Sequence, residues 1–195
     1  MQDCLNFLPT TRPEMQALGW AQLDILFISG DGYVDHPSFG VPCLARWLTR
    51  EGYRVGIIPQ PRWENVEDIS RMGRPRLFVG ISSGTVDSMI NNYTANKKVR
   101  SDDLYGEGGN RRSPPHYASL VYSALARQAF PETPIVAGGV EVSLRRLAHY
   151  DYWQNRVRPS ILKDIQADLI VFGMGEKTAT RIAGAFRDSV DPGQS

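Results

Sequence analysis

The sequence predicts an α/β fold, a three-layer, doubly wound arrangement around a mainly parallel five-stranded sheet. Three observations carry that expectation. Five short apolar runs, at 24–29, 54–59, 76–82, 134–138 and 168–172, are nearly continuous rather than alternating, as in strands covered on both faces. Helical patterns separate the runs, and strands alternating with helices imply parallel neighbours joined by right-handed crossovers. The chain has 195 residues, 42% apolar and 22% charged, which suits a single domain with a sizeable core.

The elements follow in chain order. Thr11-Arg12-Pro13-Glu14 reads as a capping box with proline in the first turn, so a short helix starts there. After the first run, residues 38–51 place Phe39, Cys43, Leu44, Trp47 and Leu48 on one stripe, and Gly52 ends that helix. Residues 116–130 repeat the pattern with Leu120, Leu125 and Ala129 until Pro131 stops them. The last helix, 176–187, carries Ala179, Ile182, Ala183 and Phe186. The expected strand order is flavodoxin-like. Residues 1–20 read as an arm with a short helix, 21–188 as the doubly wound domain and 189–195 as a tail. Two stretches break the alternation: 83–115 is long, glycine-rich and charged, and 140–167 holds extra helix and an aromatic cluster. Long insertions in a compact domain are usually functional or disordered.

Composition excludes several classes. A formal charge of +1 speaks against wholesale attraction to nucleic acid or membranes. The N-terminus lacks the apolar core of a signal peptide, and no run reaches the roughly 18 apolar residues of a transmembrane helix. The two cysteines, Cys4 and Cys43, form no metal or redox motif, so a cytoplasmic location is expected. A P-loop is missing, the dinucleotide glycine spacing is missing, and Ser82-Ser83-Gly84 stands where a phosphorylatable receiver needs an aspartate.

In such sheets ligands bind outside the carboxyl ends of the strands, near the switch in strand order. The first of these ends reads GDGYVDHPSFG and supplies Gly30, Asp31, Tyr33, Asp35 and His36 as candidates, with Ser38 placed to cap the next helix. Two readings stand: these residues contact a ligand, or they close turns with His36 at the surface. A metal site is not expected, because no third ligand has suitable spacing. The other ends add Ser82, Ser83 and Gly84 in ISSGT, Gly138, Gly139 and Glu141 in AGGVEVS, and Gly173, Gly175 and Glu176 in FGMGEKT. Small residues let backbone approach a ligand closely.

The phrases GISSG, PIVAGGVEVSLRRLAHYDYW and ADLIVFGMGEK, with LPTTRPEM, REGYRVGIIPQP and DSMINNYTANKKVRSDD, resemble the N-terminal domain of YgiQ-type radical-SAM proteins. The resemblance covers roughly residues 5 to 187. It implies a domain like the cobalamin-binding domains that precede many radical-SAM barrels. It also implies a following barrel that holds a four-iron cluster on C-x-x-x-C-x-x-C and uses S-adenosylmethionine. No such triplet is present here, so both cofactors are expected outside this chain, which alone is expected to bind none and to be inert. Cobalamin is the weaker expectation. Domains that ligate cobalt use Asp-x-His-x-x-Gly, whereas here Asp35 and His36 are adjacent.

The insertions mix Lys97, Lys98, Arg100, Arg111 and Arg112 with Tyr93, Tyr105 and Tyr117. Further on come Arg145, Arg146, His149, Tyr150, Tyr152, Trp153, Arg156 and Arg158. Arginine with large aromatics suits an interface with the C-terminal radical-SAM domain of the same polypeptide. Basic and aromatic residues together also suit RNA, the lesser reading. A separate alternative is a free-standing flavodoxin-like module binding cobalamin or a nucleotide.

Overall fold

A computed structural model describes residues 7–103, 105–106 and 114–190. The expected sheet is present. Strands β1 (Ile25–Ser29), β2 (Val55–Pro59), β3 (Phe78–Ser82), β4 (Ile135–Gly138) and β7 (Leu169–Ile170) pair in the order β2-β1-β3-β4-β7. All of these pairings are parallel, with Ile25 opposite Val55 on one side and Phe78 on the other. The direction of winding reverses between β1 and β3, so the switch point lies at their carboxyl ends.

The continuous apolar runs are explained by two cores, one on each face. Leu26, Ile28, Val79 and Ile81 face α5 (Ala118–Ala129), while Ile25, Phe27, Ile57 and Phe78 face α2 (Gly40–Arg50) and α7 (Glu176–Val190). The capping box of α1 (Arg12–Ala17) forms as read, with Thr11 accepting from the Glu14 amide and Glu14 reaching back to the Thr11 amide. Met15 and Leu8 are buried, and the Ile57 amide donates to Pro9, so the N-terminal arm belongs to the same core.

Three local expectations are corrected. Of the expected α2 stripe Leu48 is buried, but the rest of the buried face is Val41, Pro42 and Ala45, and the Trp47 indole instead donates to Thr180 on α7 at 3.0 Å. Ser38 does not cap α2; Phe39 is the N-cap and makes no side-chain bond, while the Ser38 amide donates to His36. In α5 the buried residues are Ala118, Ser119, Tyr122, Ser123 and Ala126, and Leu120, Leu125 and Ala129 pack only at the margin. In both helices small residues share the buried face with one or two large ones, Val41 and Leu48 in α2 and Tyr122 in α5.

The insertions are ordered where described. The first holds α4 (Ser88–Asn92), and the second holds α6 (Gly139–Leu144), the antiparallel hairpin β5 (His149–Asp151) with β6 (Arg156–Arg158), and a 3₁₀ turn at Ile161–Lys163. Helix α3 (Glu67–Ser70) lies between β2 and β3. Arg111 and Arg112 lie outside the described residues.

Candidate functional site

The carboxyl ends of β1, β3 and β4 meet with no clearance. A Cβ added at Gly30 would stand 2.0 Å from the Ser83 carbonyl oxygen, and one at Gly84, where φ is +111°, would stand 2.1 Å from Asp31 Oδ1. Only glycine permits either approach. Together these approaches press the Asp31 carboxylate against the turn after β3. Its Oδ2 accepts from the Thr85 amide at 2.6 Å and the Thr85 hydroxyl at 2.7 Å, while Oδ1 has no partner among the described residues. Burial raises the Asp31 pKa; the Thr85 bonds oppose that rise and the charge of Asp103 adds to it.

Beside Asp31 a cavity of about 360 Å³ enters between the sheet and the α2–α7 layer. Phe27, Phe78 and Val136 line it from the sheet, and Val41, Leu44 and Ala179 from the helices. Its mouth is formed by Ser82, Gly84, Gly138, Gly139, Gly173, Gly175 and Glu176. With Asp31, candidates from all four loops are therefore brought together around one opening. Among the described residues, no lysine, arginine or histidine lines it.

The other candidates do something else. Asp35 pairs with Arg46, Tyr33 accepts from the Leu8 amide at 2.9 Å, and His36 is exposed with Nδ1 taken by the Ser38 amide. Gly30 and Ser83 supply the close backbone contact rather than the lining. Cobalt ligation by His36 does not fit, since His36 is absent from the cavity wall. Glu141 is wholly buried and accepts from the Ser88 amide, the Ser88 hydroxyl and the Ser119 amide, so it joins α4, α5 and α6 rather than meeting a ligand.

The insertion cluster is likewise largely self-satisfied. Arg145 is held by Asp87 and lies 3.8 Å from Glu141, with its side chain only 15% exposed. Arg158 pairs with Asp164 and lies 3.7 Å from Asp151. Those two arginines are thus not the open interface or RNA contacts that the sequence suggested. Tyr93 stacks on Trp153 at 4.6 Å, and Lys97 sits 4.7 Å over the Tyr152 ring. Arg100 donates to the carbonyls of Ile90 and Tyr93, and His149 Nδ1 faces the Leu147 carbonyl. Arg146, Tyr150, Tyr152 and Arg156 remain exposed.

Sequence reasoning missed Thr85, Asp87, Asp103 and the cavity walls Phe27, Leu44 and Cys43. Asp87 had a usable signal, an aspartate directly before Ser-Met-Ile, and it does cap α4 through the Met89 amide. The cavity walls had none, because they are ordinary core residues in the pattern.

A doubly wound domain with a loop-lined opening at the switch point is the class that fold and site define. The chain belongs to the family described as Radical SAM N-terminal, which matches residues 7–194. It is 55% identical over 177 residues to a UPF0313 protein of Thermotoga neapolitana, covering 91% of this chain and 31% of that protein. It is 51% identical over 183 residues to UPF0313 protein GSU2873 of Geobacter sulfurreducens, covering 94% of this chain and 30% of the relative. A Pseudomonas putida UPF0313 protein is 53% identical over 177 residues and is covered to 23%. The chain therefore spans less than a third of the length of these relatives. No solved structure matches it. Among the described residues, no helix is long and apolar enough to cross a membrane.

Proposed function

We propose that this chain is the N-terminal accessory domain of a radical-SAM iron-sulfur enzyme, inert alone, and that it packs against the cluster-bearing part of the same polypeptide. One observation carries this reading: an exposed apolar strip beside the opening. Val140, Leu144 and Leu147, from α6 and the turn after it, are 43%, 62% and 65% exposed, and Phe172 and Met174 are 61% and 83% exposed. The two segments meet, since the Arg146 guanidinium sits 5.0 Å over the Phe172 ring and Val140 and Met174 both border the cavity. A contiguous strip of this kind, edged by arginine, marks a partner surface. The partner follows from length: most of each relative lies beyond the matched portion.

The cluster and S-adenosylmethionine then belong to that remainder, because two cysteines cannot supply the three thiolates of a radical-SAM triplet. In a cytoplasmic protein the domain shapes access to the barrel. Amide exchange compared between this chain and the complete protein tests the interface. Protection of 140–147 and 171–175 by at least about tenfold in the complete protein is expected, on the scale of local opening energies. Equal exchange in the two would overturn the reading.

A further inference from the structure

We propose that the cavity between the sheet and the α2–α7 layer binds a flat, neutral or weakly basic nitrogen heterocycle, which donates a ring N–H to the free oxygen of Asp31. The inference is independent of the interface reading above, because it concerns the slot and not the strip outside it.

A cavity of about 360 Å³ falls within the range of small-molecule sites. Its walls are Phe27, Phe78, Val136, Val41, Leu44 and Ala179, so the body of the ligand must be apolar. Phe27 and Phe78 meet edge to face, with planes at 88°, which leaves aromatic surface for a ring to pack on. Anions are disfavoured: Asp31 and Glu176 both line the slot, and no lysine, arginine or histidine among the described residues does. Sugars and other polyols match the slot poorly, because its lining is mainly apolar. The Ser82 hydroxyl accepts from the Gly84 amide at 3.2 Å, and both Thr85 donors are spent on Asp31 Oδ2.

Asp31 Oδ1, on a residue only 5% exposed, has no donor among the described residues. A hydrocarbon would fill the slot and leave that oxygen unanswered, which costs free energy in an apolar setting. A heterocycle with one N–H satisfies both demands. The Asp31 pKa, raised chiefly by burial, agrees with a carboxyl that lacks a full set of partners.

The test uses benzimidazole as ligand and indene as its hydrocarbon isostere, followed by the amide signals of Gly84, Gly138 and Gly173. Saturable shifts with a dissociation constant of about 0.1–1 mM are expected for benzimidazole, ordinary for a ligand of this size. Indene is expected to bind at least about fivefold more weakly, on the scale of one hydrogen bond to a charged group. Asp31→Asn should bring the two affinities together. Ala179→Leu, which fills the slot from α7 with a good helix former, should weaken benzimidazole by about tenfold or more without lowering the unfolding temperature. If that variant does not fold, Leu44→Phe at a half-buried wall position replaces it. Equal affinity of the unmodified chain for both probes, or benzimidazole binding that survives the filled slot, would overturn the proposal.

Discussion

Asp31 and Glu141 both follow a β-strand end, both are buried, and both looked equally able to meet a ligand; the structure uses them in opposite ways. Glu141 accepts from three donors on two other elements, all within its reach in the fold. Asp31 takes both donors of Thr85 on one oxygen, leaves the other without a donor among the described residues, and borders an apolar slot. Both carboxylates lie at the carboxyl edge, yet the insertions over β3 and β4 spend their charge internally, while the β1 end keeps an acceptor in reserve. Unspent hydrogen-bonding capacity, rather than residue type, separates a binding candidate from a structural pin.

The largest effect that can break this comparison lies at Glu141. Glu141→Ala leaves the Ser88 and Ser119 amides and the Ser88 hydroxyl without their acceptor in a fully buried place. The Ala118 amide is also affected, since it donates to the same Ser88 hydroxyl at 3.0 Å. Loss of about 3–5 kcal/mol is expected in urea unfolding, the scale of breaking a buried charged network. A loss under about 1 kcal/mol would show that Glu141 is not the pin of the insertions.

Asp31 comes next, and its effect appears through pH. Its folded carboxyl titrates higher than an ordinary aspartate because it is buried, so the sign is the reverse of a salt-bridged acid. The neutral form is favoured by folding. Its stabilising contribution is complete below the unfolded value, near about pH 3.9, and is lost as pH rises through the folded value. Asp31→Asn cannot ionise and should therefore gain stability relative to the unmodified chain between about pH 3 and pH 7. Parallel stability–pH curves for the two proteins would show that Asp31 Oδ1 is solvated.

The sheet was legible because parallel strands covered on both faces leave continuous apolar runs, and all five were placed within two residues of their observed ends. Helix faces were less legible. Hydropathy gives weight to Trp47 and Leu120, whereas the buried positions include the small residues Ala45, Ala118, Ser119 and Ser123, which no hydropathy stripe marks. The site was half legible. Glycines at Gly84, Gly138, Gly173 and Gly175 marked the opening, since tight turns and close approaches need them. Which carboxylate would be free was not legible, because the donors that satisfy Glu141 come from residues 88 and 119, distant in sequence.

The smallest effect sharpens the comparison from below. Asp35 and His36 share the opening stretch with Asp31 but stand at the surface, where Asp35 pairs with Arg46 across side chains 20% and 31% exposed. Such a pair gains little, because water and salt screen it and two long side chains must be ordered to make it. Asp35→Ala is expected to cost no more than about 0.5 kcal/mol at low salt, and this cost should vanish at about 1 M sodium chloride, where the screening length falls to about 3 Å. His36→Ala removes only the acceptor of the Ser38 amide, an exposed group that water can serve, so it should be neutral within about 0.5 kcal/mol. Neither variant should alter benzimidazole binding, because neither residue lines the slot. Urea unfolding at the two salt concentrations measures the first pair of expectations, and the Gly84 amide titration measures the last. A cost above about 1.5 kcal/mol that persists at high salt would make Asp35 a second structural pin, and the β1 end would then no longer differ from the insertions in how it spends its charge.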